Sequence, residues 1–149
     1  MREEQVTKAI LKWLLDNNWE IVCFDFPQSG TGRLLHPNME SAHKNRGAIN
    51  PDIIAVRNSV CLFFENKDRF YLPDYEKLHS LIIDNHYTDD IELLTKGNNI
   101  EEYYFGIGLP ALKHGKGSRK AAHLVHFIIG VREDNSINIL HNPEKLNFV

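Results

Sequence analysis

Apolar positions along this chain change their period several times, and each change marks an element. Over residues 3–16, Val6, Ala9, Ile10, Trp13 and Leu14 recur at i, i+3, i+4, i+7 and i+8, the stripe of an amphipathic helix. Asn17-Asn18 ends it, and Trp19–Phe26 (WEIVCFDF) reads as a strand. Residues 27–50 are polar, with Ser29-Gly30-Thr31-Gly32 and Gly47, and predict a long loop of the kind that carries function. Two further strands are expected at Asp52–Val56 and Val60–Lys67, joined by a hairpin turn at Arg57-Asn58-Ser59. Pro73 opens a second helix over about 74–84, with Tyr75, Leu78, Leu81 and Ile82 on its inner stripe. After an acidic, irregular stretch at 85–102, Tyr103–Leu109 predicts a fourth strand. A short helix is expected near 118–123 with Ser118 as its cap. Strands at 125–132 and 136–140 then flank an Asp134-Asn135 turn. The order is α-β-β-β-α-β plus C-terminal additions, an α/β domain on a mixed central β-sheet flanked by helices.

The 149 residues suit one domain, with a core expected over about 3–109 and an elaboration over about 110–149. No apolar run reaches the ~18 residues that span a bilayer, and the opening MREEQVTKAILKWLL does not read as a secretory signal, so a cytoplasmic protein is expected. Cys23 and Cys61 each sit in an apolar run and read as buried thiols. The net charge of −3 argues against a nucleic-acid partner until it is mapped along the chain. Residues 113–120 carry Lys113, Lys116, Arg119 and Lys120 without an acid, and 27–50 carry Arg33, Lys44 and Arg46 against Glu40. Such patches hold a phosphate backbone locally while the total stays acidic. Arg33, Lys44, Arg46, Lys116, Arg119 and Lys120 are therefore the expected contacts to a nucleic-acid backbone, with His36 beside the first group. Other chemistries lack their signatures. No histidine stands at zinc-ligand spacing with the cysteines, and the GKGS at 115–118 lacks the P-loop spacing.

The chemistry concentrates in Pro51-Asp52 and Glu65-Asn66-Lys67. Side chains alternate along a strand, so Glu65 and Lys67 share a side, and the hairpin returns them to Asp52. Ile53, Ile54, Leu62, Phe63 and Phe64 would form the interior behind them. Two carboxylates ~4 Å apart repel by roughly 4 kcal/mol at an effective dielectric near 20. One ammonium offsets only part of this, so the cluster invites a hard divalent cation such as Mg²⁺, which takes one or two carboxylates with water and phosphate. Asp52, Glu65 and the Asn66 carbonyl are the expected ligands, with Mn²⁺ able to substitute. Lys67 would orient the attacking water or neutralise the scissile phosphate. Phe70 and Tyr71, just beyond, either stack on bases or pack against the sheet.

With its Pro51-Asp52, twelve intervening residues and Glu65-Asn66-Lys67, the chain resembles the PD-(D/E)XK nuclease superfamily over roughly residues 3–109. The resemblance implies a restriction endonuclease-like core and metal-dependent hydrolysis of DNA phosphodiester bonds. Members often add an acid from the first helix. Glu3 lies about 50° from the centre of the apolar stripe and Glu4 about 150°, so Glu3 is the expected fourth catalytic residue. The segment from Glu3 through Trp13, with Gly47 ahead of Pro51-Asp52, is similar to the virus-type repair nucleases. That branch often carries a Gln on the helix after the Lys strand, where this chain offers Asp74, Lys77 and His79. The leading expectation is a type II restriction endonuclease or a subunit of one, acting as a homodimer and leaving room for a partner methyltransferase. The alternatives are a structure-specific nuclease such as a Holliday junction resolvase, and a DNA-binding module without catalysis on the same fold.

Overall fold

The structure is a computed structural model that describes residues 1–25, 51–84, 91–92, 95, 97 and 99–149. The expected loop at 27–50 and most of the acidic stretch at 85–102 lie outside the described residues. Helix α1 spans Glu3–Asp16, and its stripe buries Val6, Thr7, Ala9, Ile10 and Leu14. Asn18 takes the left-handed conformation (φ 66°), which lets the Trp19 N–H reach back to the Leu14 carbonyl at 2.9 Å and closes the helix. Strand β1 (Glu20–Phe24) follows directly.

Strands β2 (Ile53–Arg57) and β3 (Val60–Asn66) form an antiparallel hairpin. Arg57 pairs with Val60, so the turn is the two residues Asn58-Ser59 and not the expected three. Asn58 is left-handed (φ 56°), as a twist-matched two-residue turn requires. Helix α2 (Leu72–Asp84) begins one residue before Pro73 and crosses over to β4 (Glu102–Pro110), which runs parallel to β3. A 3-10 turn at Ala111–Lys113 leads to the short helix α3 (Lys116–Ala121), and a second 3-10 turn at Ala122–Leu124 leads to β5 (Phe127–Val131). Strand β6 (Ile137–His141) completes the described sheet.

The result is a six-stranded mixed sheet in the order β1-β2-β3-β4-β5-β6, flanked by helices. The pairs β3–β4 and β4–β5 are parallel and the others antiparallel. Strict alternation divides its central side chains between two cores. Ile53, Ala55, Leu62, Phe64, Phe127 and Ile129 pack with Val6, Ile10 and Leu14 of α1. Ile54, Val56, Cys61, Phe63, Ile107 and Ile128 pack with Tyr75, Leu78 and Leu81 of α2. Covered on both faces, β2 and β3 carry near-continuous apolar runs, and Ile53, Ile54, Leu62, Phe63 and Phe64 are all fully buried. No disulfide joins the buried Cys23 and Cys61.

Residues 110–149 are built into this sheet. Strand β5 is buried along its whole length, and Phe148 sits in the α1-side core, where its carbonyl accepts the Trp19 indole N–H at 2.8 Å. Ser118 is not a cap: it lies inside α3, fully buried, 2.6 Å from the Tyr75 hydroxyl and 2.7 Å from His114 Nδ1. The cap position belongs to Gly115, which has no side chain to offer. Among the described residues no helix is long and apolar enough to cross a membrane.

Candidate active site

The alternation that sorts the core also sorts the chemistry at the end of β3. Cys61 and Phe63 face α2, so Glu65 does too, while Asn66 turns toward α1. The Asn66 amide Nδ2–H donates to Thr7 Oγ1 at 3.0 Å, both residues being buried. One residue before β2, the Asp52 N–H donates to the Phe64 carbonyl at 2.9 Å, which extends the ladder and sets Asp52 opposite Glu65. Asp52 Oδ2 in turn accepts the Asn66 backbone N–H at 2.6 Å. The Lys67 N–H donates to the Gly108 carbonyl at 2.9 Å, tying the tip of β3 to β4. A Cβ on Gly108 would stand 2.2 Å from Asn66 Oδ1 and 2.4 Å from Ile10 Cδ1, so only glycine permits this packing.

Beyond the strand, Lys67 bridges the two helices. Its Nζ lies 3.5 Å from Glu3 Oε1 and 3.9 Å from Asp74 Oδ2. Glu4 instead pairs with Lys8 at 3.2 Å on the exposed side of α1, so the structure brings Glu3 and not Glu4 to the cluster. From α2, Lys77 Nζ reaches Glu65 Oε1 at 3.3 Å and Asp74 Oδ1 at 3.8 Å. Asp74 and Lys77 were not among the expected site residues. Their signal was present as an acid–base pair at i and i+3, which occupies one helix face immediately after the lysine strand. His79 faces elsewhere, with Nδ1 3.2 Å from the Leu124 carbonyl.

Glu3, Asp52, Glu65 and Asp74 thus oppose Lys67 and Lys77, an excess of two negative charges when all are ionised. Burial, then the neighbouring Glu65 and Glu3, push Asp52 up to about 8 against the pull of the Asn66 N–H and Lys67. Burial also pushes Glu65 up to about 7, with Asp74 adding to it and Lys77 and Lys67 opposing it. Asp74 is raised by burial against both lysines. For Lys67 burial works downward, but Asp74, Glu3 and Glu65 outweigh it and the net shift is upward. Without another cation the cluster therefore holds protons into the neutral range.

Among the described residues no group of three Asp, Glu, His or Cys side chains stands ready to hold a metal ion. Mg²⁺ needs fewer, one or two carboxylates with the remaining positions taken by water and phosphate. Asp52 and Glu65 meet that requirement, and the doubly negative excess matches a divalent cation. The buried Asp74 Oδ2 has no hydrogen-bond partner, a further mark of unsatisfied anionic capacity.

Glu3, Lys67, Asp68, Arg69 and Tyr71 line an open cleft of about 450 Å³ over this cluster. Tyr71 is exposed, its ring centroid 5.7 Å from Lys67 Nζ, whereas Phe70 packs edge-on against Tyr75 at 5.1 Å. A larger cleft of about 610 Å³ lies between α1 and the β5–β6 turn, and neither Asp52 nor Glu65 lines it. Lys116, Arg119 and Lys120 are exposed on α3, which is fastened to α2 through Tyr75–Ser118. Arg33, Lys44 and Arg46, with His36, lie outside the described residues. No family model, curated protein or solved structure matches the chain.

Proposed function

We propose that the protein is a Mg²⁺-dependent DNA endonuclease with a restriction endonuclease-like core. The observation that carries this reading is the opposition of half-buried Asp52 and buried Glu65 beside Lys67 at the end of β3, where burial pushes both carboxyls upward. Support also comes from the element order, an antiparallel hairpin followed by a parallel crossover through α2. When bound, Mg²⁺ supplies an activated water and positive charge at the phosphate. Asp52 and Glu65 would hold the ion. The Asn66 N–H, at 2.6 Å, fixes the Asp52 carboxylate in place, so it needs no rearrangement to bind. Lys67, kept charged by Glu3 and Asp74, directs its ammonium at the scissile phosphate and the attacking water. Exposed Lys116, Arg119 and Lys120 would contact the DNA backbone, joined by Arg33, Lys44 and Arg46. A homodimer would place two such sites across a duplex, as double-strand cutting needs.

The test is incubation with supercoiled plasmid and with a four-way junction, in Mg²⁺, in Mn²⁺ and in EDTA. Discrete metal-dependent fragments of the plasmid support site-specific restriction and a search for a partner methyltransferase. Selective junction cleavage supports a resolvase. Retention of DNA without cutting under any of these conditions would point to a binding module and sink the hydrolase.

A further inference from the structure

Lys77 stands where an incoming cation would have to act. Its Nζ lies 3.3 Å from Glu65 Oε1, so one of the two proposed metal ligands already has a positive partner within the chain. The same ammonium lies 3.8 Å from Asp74 Oδ1, and Asp74 is only 5% exposed. The other Asp74 oxygen, Oδ2, has no hydrogen-bond partner, and Lys67 Nζ stands 3.9 Å from it. Asp74 and Lys77 share one face of α2, so rotation about the lysine side chain's bonds moves the ammonium from one carboxylate to the other without moving the helix.

We propose that Lys77 is a resident counter-cation displaced from Glu65 when a divalent cation binds, and that Asp74 receives it. This rests on Asp52 and Glu65 being the metal ligands. In the metal-free state Glu65 is paired with Lys77 and Asp74 keeps spare acceptor capacity. In the loaded state Glu65 turns to the metal and Lys77 pairs with Asp74. Both buried carboxylates thus stay compensated in both states, which removal of either lysine or acid would prevent. Lys77 is a positioning residue in this scheme, and its presence lowers the affinity for metal in the absence of DNA.

The experiment is calorimetric titration of the metal-free full chain with MgCl₂ and with MnCl₂, without DNA. Lys77→Met and Lys77→Gln are expected to bind about tenfold tighter than wild type, because the competing charge is gone. Lys77→Arg should retain the wild-type affinity. Lys113→Met changes the net charge equally at an exposed position and should leave the affinity unaltered. Asp74→Asn should weaken binding more in the wild type than in the Lys77→Met background, where the lost charge still counts but no ammonium needs a new partner. Equal or weaker binding by both Lys77→Met and Lys77→Gln overturns the proposal, as does an Asp74→Asn effect of the same size in both backgrounds. If wild type binds metal, Asp52→Asn abolishes binding and the Lys77 variants match wild type, the displacement is wrong and the metal site stands. If no variant binds either metal, both fall together.

Discussion

Replacing Asp52 by Asn removes one half-buried charge while leaving an oxygen able to accept the Asn66 N–H, now held at 2.6 Å. The size of the effect follows from the displacement of Asp52 from 3.8 to about 8. At ~1.36 kcal/mol per pH unit, folding the ionised wild type costs at most about 6 kcal/mol above pH 8. Relaxation around the carboxylate reduces this, and Asn is a weaker acceptor by about 1 kcal/mol, so we expect a net gain of about 2–4 kcal/mol. For a chain of this length that is a rise of roughly 6–12 °C in Tm. The sign follows from the upward shift. The fold favours neutral Asp52, so its stabilising contribution is complete below about 3.8 and is lost as pH rises through about 8. Metal-free wild type should therefore lose stability between about pH 4 and pH 8, and Asp52→Asn should remove Asp52's share of that slope, while Glu65, pushed up to about 7 by burial, keeps its own. The assay is thermal unfolding in EDTA at pH 4.5 and pH 8.5. At pH 4.5 the two proteins should differ by about 1 kcal/mol or less. A variant less stable than wild type at pH 8.5, or a difference equal at both pH values, would refute the clustered-charge reasoning.

Lys67→Ala should reduce the rate of Mg²⁺-dependent plasmid cleavage by about 10²–10³-fold while the Mg²⁺-induced rise in Tm persists, since the lysine acts on phosphate and water and Asp52 and Glu65 hold the ion. Loss of that thermal shift, measured beside the cleavage rate, would make Lys67 part of metal binding instead. Gly108→Ala forces a methyl to within 2.2 Å of Asn66 Oδ1 and 2.4 Å of Ile10 Cδ1 and should cost about 1–3 kcal/mol in urea unfolding. Gly115→Ala, with nothing within 4 Å of the added atom, should cost less than about 1 kcal/mol in the same measurement.

Much of the site is legible in the sequence because its parts are local. A short hairpin brings Asp52 back to the neighbourhood of Glu65, and a period of two directs Glu65 to one face and Asn66 to the other. The expected three-residue turn would have set Asp52 opposite Phe64, and the two-residue turn of the structure sets it opposite Glu65. The stripe on the first helix likewise selects Glu3 over Glu4, because a rotation of about 100° separates neighbours on a helix and only one of them can lean toward the sheet. Asp74 illustrates the limit. In the sequence it is, with Lys77 and His79, one of the polar residues that the second helix offers after the lysine strand, and nothing local singles it out for burial. Its burial against Lys67 and Lys77 depends on where the crossover to β4 lays α2 across the sheet. Ser118 reads as a cap until α3 docks and turns its hydroxyl inward to Tyr75. Residues 110–149 read as additions because they follow the expected α-β-β-β-α-β core, and only parallel pairing with β4 shows β5 to be interior. Periodicity and neighbouring residues determined the elements, the two faces and the gathering of Asp52, Glu65 and Lys67 at one end of the hairpin, the end of β3. Contacts between residues far apart in the chain decided which charges meet that end, because helix docking is settled by packing of the whole core and leaves no local pattern.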